Sequence, residues 1–390
     1  MPTQTALIAA WARSAVVPRG GAFKNLHTHD IAAPVVQALL TRAGIAAEQV
    51  DAVVMGNALG AGGNPARMLV LHAGLSQQCA ALTVDTQCCA GLDAVTIGVG
   101  LIATGQADVV VAGGGEAWSR SPIRMHRPMR STDAPEAYER PPFAPSAAQD
   151  PDMLLSAARF AAEQGYTRVQ QEAFAIESHQ RAVQQQTVLA QEIVPVAGIS
   201  NDVNPRVIDP ARAARMPVVV RTDAVMQKVD AQAHALTALT VAAQADGAAF
   251  VLLVSPAAAK RLGVRVQAAW LACTSVGVAP ETPLLAAQVA ARLVLKRVGL
   301  SDPNSLRTVS LHDAFAVQGL SFMADLGLTA GQLNPYGGGV ARGHPIGASA
   351  AIALVRLLAD LAYSGVVGDR GLVAVAGAGG LGTAAVIQQL

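Results

Sequence analysis

"LTVDTQCCAGLDAVTIGVGLIATG", residues 82–105, reads as strand, tight turn and helix in one run. Ala80 to Val84 form an apolar β-type stretch, a polar break follows, and a helical pattern sets in from Leu92 onward. The turn holds Cys88 and Cys89, two of only four cysteines in the chain. A helix N-terminus leaves N–H groups unpaired and carries partial positive charge. A thiol placed there is expected to have a lowered pKa and to exist partly as the thiolate that attacks carbonyls. Successive helical residues point ~100° apart, so only one of the two can face a given site. The other is apolar packing, as most buried free cysteines are.

The same strand–turn–helix pattern returns in "NPYGGGVARGHPIGASAAIALVRLLADL", residues 334–361. It belongs to a longer repetition. "TALIAAWARS" (5–14) resembles "VQAAWLACTS" (266–275), and "EQVDAVVMGNAL" (48–59) resembles "NSLRTVSLHDAF" (304–315). "ADVVVAGGGEAW" (107–118) resembles "RGLVAVAGAGGLG" (370–382). An offset of about 260 residues each time predicts two copies of one βαβ-rich unit. Between the matched segments, "SRSPIRMHRPMRSTDAPEAYERPPFAPSAAQDPD" (119–152) is rich in Pro and Arg and has neither strand nor helix period, which predicts loop. Helical stretches are predicted over 154–163 and 168–186. The expected division is an N-terminal half over 1–118 with its last strand at 240–256, an insertion over 119–239, and a C-terminal half over 257–390.

Composition narrows the function. The chain has 390 residues, 52% of them hydrophobic and 14% charged, with 36 Gly. That predicts a large buried fraction, as a many-layered α/β fold requires. A net charge of +1 gives no footprint for nucleic acid or an anionic membrane surface. Cys79, Cys88, Cys89 and Cys273 are spaced like neither a disulfide framework nor a zinc motif, so no metal is expected and a reducing compartment is. The N-terminus lacks a signal-peptide pattern, and no apolar run approaches the ~18 residues of a spanning helix. A cytoplasmic protein follows as the expectation. "AGAGGLG" (376–382) has no βαβ unit after it and is not read as a dinucleotide loop.

Three ordered segments resemble the thiolases, within the thiolase and ketoacyl-synthase superfamily, nearly end to end. These are "NPARMLVLHAGL" with "VDTQCCAGLDAV", then "ADVVVAGGGEAWSRSP", then "NPYGGGVARGHPIGASAA". The resemblance implies the five-layered αβαβα thiolase fold, built from duplicated halves with a trimmed loop domain. It implies an acyltransferase working through an acyl-cysteine, with no cofactor beyond a CoA or pantetheine thioester as substrate, in a homodimer or homotetramer. The family frame places the nucleophile at Cys88 and leaves Cys89 in a small-residue slot. His344 is similar to the general base. His312 stands where many members have Asn and would help build an oxyanion hole. That hole would use the N–H groups of Cys88 and Ala378, with His344 beside them. Asp313 either orients its loop or solvates a strand end, and His72 is the one other histidine singled out.

The chain also departs from the family. Both positions at which members carry a second, proton-moving cysteine are alanine here, Ala376 and Ala314. The family's pantetheine-side Ser falls at Ala242, its adenine-side Arg at Gln227 beside Lys228, and an acyl-pocket His at Asp152. The loop domain is shorter by roughly 20–25 residues than the family pattern. Alternative readings are a ketoacyl-synthase-like decarboxylative condensation and a catalytically eroded partner subunit.

Overall fold

A computed structural model of the protein describes residues 5–222 and 230–390. Its principal strands, in chain order, are β1 (Leu7–Ser14), β2 (Ala52–Gly56), β3 (Ala80–Val84), β4 (Val109–Ala117), β5 (Ala245–Val254), β6 (Ala268–Gly277), β7 (Thr308–His312), β8 (Arg370–Gly377) and β9 (Leu381–Gln389). Its principal helices are α1 (Thr28–Ala43), α2 (Pro65–His72), α3 (Ala90–Ala103), α4 (Met153–Glu163), α5 (Arg168–Gln184), α6 (Ala286–Arg297), α7 (Ala316–Leu326) and α8 (Ile346–Ser364).

The strands run β7-β8-β9-β6-β1-β5-β4-β2-β3 across one continuous sheet. Within it the order β1-β5-β4-β2 is matched by β6-β9-β8-β7, so the repetition in the sequence is a repetition of topology. Each half pairs its outer two of these strands in parallel and the rest antiparallel. The halves meet where Leu7 and Ile8 of β1 pair with Ala269 and Ala268 of β6.

Helices form the remaining layers. One core cluster joins α1 and α2 to one face of the first half, and another joins α6 and α7 to the far face of the second. Between the two half-sheets lie α3 and α8, in a third cluster drawn from both halves. The stack is therefore αβαβα. Central helices must be apolar on every side, and α8 is the one helix among the described residues long and apolar enough to cross a membrane. The sequence-level expectation that no such run exists is corrected here: Arg356 and Asp360 mask the run, yet the helix is interior. Its Arg356 pairs with buried Glu192, which also binds Arg13 of β1. Small residues set the spacing of the layer, because a Cβ at Gly91 of α3 would stand 2.9 Å from Ala351 of α8.

The segment between β4 and β5 packs over the second half, with Ala157, Phe160 and Ala161 of α4 against Leu284, Phe315 and Val317. Helices α4 and α5 fall where the periodicity predicts them. The reading of 119–152 as loop needs one correction: Arg124–His126 pairs antiparallel with Glu136–Tyr138. Strands of three residues are too short to show a period of two.

Candidate active site

The turn that carries Cys88 is held from below. After β3, Gln87 adopts a left-handed φ of 55°, and its N–H is capped by Asp85 Oδ1 at 3.0 Å. A single 3-10 turn over Gln87–Cys89 then leads into α3. Asp93, one turn into that helix, accepts from Thr86 Oγ1 (2.6 Å), Thr383 Oγ1 (2.8 Å) and Ser275 Oγ (2.9 Å). It thereby pins the turn to β6 and β9. The result separates the two cysteines. Cys88 Sγ lies 3.2 Å from His344 Nε2, whereas Cys89 is fully buried against β8 with its Sγ 4.0 Å from the Val375 carbonyl. Desolvation pushes the Cys88 thiol up to about 11, although N–H groups of Ala378 and Cys88 itself donate to the sulfur. The expectation of a lowered pKa is therefore corrected. Burial outweighs the helix terminus, and the resting group is a thiol.

His344 is presented by a turn that only glycine can make. Gly343 has φ 115°, and a Cβ there would stand 3.1 Å from Ala245 Cβ and 3.2 Å from the Ala243 carbonyl. Burial lowers the imidazole to about 4, so it is neutral at pH 7. Its Nδ1 is 2.6 Å from Ser349 Oγ, and that hydroxyl donates to the Pro345 carbonyl at 2.9 Å. A hydroxyl has one proton. With that proton directed at Pro345, Nδ1–H must be the donor to Ser349, which leaves the lone pair of Nε2 facing the Cys88 thiol.

His312 ends β7, its ring 4.4 Å from that of His344. Burial, then the neighbouring His344 and Arg342, hold it well below the usual imidazole range. Its Nε2 has no hydrogen-bond partner among the described residues. Asp313 is buried, accepts from the Gly339 N–H and from Asn334 Nδ2 (3.2 Å), and is pushed up to about 7 by desolvation. Of the two roles left open for it, the structure selects loop orientation.

A short strap, residues 240–244, stitches these pieces together. Ala316 N–H donates to Thr240, Ala242 N–H to Ala314, His344 N–H to Ala243 (2.7 Å) and Arg19 N–H to Gln244. The strap is one wall of a cavity of about 570 Å³, which also exposes Cys88, His344, Ala314, Ala376, Ala378, Ala242 and Asp152. Ala378 is absent from the left-handed region, so its side chain adds no backbone strain beside Cys88. Ala376 and Ala314 both face the cavity, and neither can carry a proton. Asp152 is on the wall, but its carboxylate caps α4 through the N–H groups of Leu154 (2.9 Å) and Leu155 (3.2 Å). Its first duty is structural. Lys228 and Gln227 lie outside the described residues.

Three contributors were not picked out from the sequence. Ser349 fixes the His344 tautomer and Asp93 fixes the turn that carries Cys88. Glu116 joins Asn57 Nδ2 (2.8 Å), Ala58 N–H (3.0 Å) and Gly347 N–H (3.0 Å), with burial raising it to about 7. Ser349 and Glu116 both sit inside the quoted motifs, but nothing in their spacing announces what they bond.

Known proteins match the chain nearly end to end. The thiolase N-terminal domain profile matches residues 6–257 and the thiolase C-terminal domain profile matches residues 264–389. An acetyl-CoA acetyltransferase of Allochromatium vinosum is 32% identical over 386 residues, covering 97% of each chain. One of Rhizobium meliloti is 33% identical over 414 residues and spans both chains completely. Among solved structures, a Bacillus anthracis acetyl-CoA acetyltransferase superposes with a TM-score of 0.90 at 27% identity, covering 100% of both chains. The Acat5 thiolase of Ascaris suum, in complex with coenzyme A, gives 0.88 at 24% identity over 99% of this chain and 100% of its own, a likeness of fold.

Proposed function

The chain belongs to the thiolase family, and from that premise we propose that it is an acyltransferase that carries its acyl group on Cys88. The observation that supports this most is the Cys88 Sγ–His344 Nε2 distance of 3.2 Å in the tautomer able to accept a proton. As Sγ attacks the thioester carbonyl, the thiol proton passes to Nε2. The oxyanion that forms is met by the N–H groups of Cys88 and Ala378. When the C–S bond of the donor breaks, the leaving thiolate takes the proton back from His344, leaving acyl-Cys88 and a free thiol. The second half-reaction delivers the acyl group to a thiol or to a carbon nucleophile.

The acyl carrier is CoA in this reading, since relatives at 32–33% identity are named acetyl-CoA acetyltransferases. The decarboxylative and eroded-subunit alternatives are not favoured: the relatives bear acyltransferase names, and the Cys88–His344 pair is assembled. A nucleophilic thiol needs reducing surroundings, which supports a cytoplasmic location. Exposed Met68, Leu71 and Leu82, on α2 and the edge strand β3, support a homodimer or homotetramer.

Intact-protein mass spectrometry after mixing with acetyl-, acetoacetyl- and malonyl-CoA tests the proposal. The expected result is one acyl group on Cys88 from acetyl- or acetoacetyl-CoA, lost in Cys88→Ala and kept in Cys89→Ala. Reaction with malonyl-CoA alone would move the chain to decarboxylative chemistry. No adduct from any donor would make it a non-catalytic partner.

A further inference from the structure

Three side chains outside the catalytic cavity converge on one point. His29 and Asp30 lie in the first turn of α1, and His72 is the last residue of α2. His72 Nε2 is 3.3 Å and His29 Nε2 is 3.7 Å from the same oxygen, Asp30 Oδ1. All three ligand atoms fall within 4.8 Å of one another. The other carboxylate oxygen accepts the His27 N–H at 2.8 Å, which fixes the group in place and leaves Oδ1 for the two imidazoles. The rings are also ordered. His27 stacks on His29 with centroids 5.5 Å apart, and His72 meets His29 edge-on at 5.1 Å.

We propose that His29, Asp30 and His72 form a zinc site that clamps the start of α1 to the end of α2. Tetrahedral ligands on zinc bonds of ~2.0–2.1 Å stand about 3.3 Å from one another. Each imidazole already stands 3.3–3.7 Å from the carboxylate oxygen, and small side-chain shifts within the 4.8 Å cluster would bring the two rings to the same spacing. Two imidazoles and one carboxylate suit zinc, whereas calcium and magnesium call for oxygen donors throughout. As ion pairs alone, exposed His–Asp contacts contribute little, so pairing does not explain why two rings share one oxygen. All three residues remain partly exposed, which gives the ion an entry path and leaves a fourth position to water. The clamp acts on the outer helical layer and takes no part in acyl transfer.

Cys88 with His344 is a competing thiol–imidazole pair for zinc, so the test must tell the two apart. Zinc binding to metal-free, tag-free protein is measured by calorimetry, and the coordination is read from the visible spectrum of the cobalt(II) form. The expected result is one ion per chain in wild type and in Cys88→Ala, with a tetrahedral cobalt spectrum and a higher melting temperature on adding zinc. His29→Gln and His72→Gln should each weaken binding by more than the ~10–100-fold that loss of an outer-shell partner costs. Both should keep the unliganded melting temperature. Absence of binding at micromolar zinc, or binding that survives both histidine variants, would overturn the site. Binding abolished by Cys88→Ala would place the metal at the catalytic pair and equally overturn it.

Discussion

Nδ1 of His344 stands 2.6 Å from Oγ of Ser349, and that hydroxyl gives its own proton to the Pro345 carbonyl. One buried serine therefore decides which imidazole nitrogen can accept the thiol proton. Ser349→Ala should lower the rate of Cys88 acylation by about 10–100-fold, the range for losing a partner that orients a catalytic group. KM should hardly move, since Ser349 does not line the cavity. Single-turnover acylation against donor concentration measures both. An equal loss in KM alone would show that the serine only supports packing.

The ionisation of Cys88 is directly measurable. Its thiol is pushed up to about 11 and His344 down to about 4, so between these limits the pair is thiol and neutral imidazole. The thiolate appears only as pH rises toward the higher value. Ultraviolet thiolate absorbance, taken as wild type minus Cys88→Ala, should be flat through neutral pH and climb in strongly alkaline solution. A thiolate band already present at pH 7 would mean a preformed ion pair and would reverse the assignment of His344 as base.

Both second-cysteine positions border the cavity as alanine, which bears on the carbon–carbon step. Ala376→Cys adds one sulfur beside Cys88, at an overpacking cost of about 1–3 kcal/mol at most. It should raise thiolysis of acetoacetyl-CoA, with wild type at ~1% of the variant or less if a lost proton carrier costs ~10²–10⁴. Steady-state thiolysis at matched acylation decides this. Brisk turnover by wild type would instead point to another proton carrier, His312 first, because its buried Nε2 has no partner among the described residues.

Gly347 should tolerate no side chain. A Cβ there would stand 2.6 Å from Asn57 Cα, and its N–H serves Glu116. Backbone cannot move aside like a side chain tip, so Gly347→Ala should cost at least the ~1–3 kcal/mol typical of overpacking. Urea denaturation measures it. Unchanged stability would show that the Asn57 loop and α8 are not locked together.

Much of this was legible in the sequence, for reasons that differ by residue. The two halves were visible because strands such as β1 and β6 keep their apolar character and order. Cys88, His344 and His312 were singled out by the resemblance of their motifs to the thiolases, since the residues by themselves left open which cysteine faces the site. Their protonation was not legible, since it depends on how completely the second half and the insertion bury the turn, and burial reversed the expected shift at Cys88. The Ser349 contact hid because a serine in a small-residue helix start has many bland explanations. His29, Asp30 and His72 are brought together only by packing of α1 on α2, which no local pattern encodes.

The position of α8 has a consequence for how the chain comes apart. That helix belongs to the second half, yet Leu354, Val355 and Leu358 share one core cluster with Val54, Leu92 and Val251 of the first. A polypeptide ending near residue 257 would keep α3 on that face of its sheet but lose α8 beside it, and one starting near 264 would carry a helix with only part of its lining. Neither fragment can complete this shared central layer by itself. The two family segments are therefore a single cooperative unit, and calorimetry of the intact chain should register one melting event in place of two.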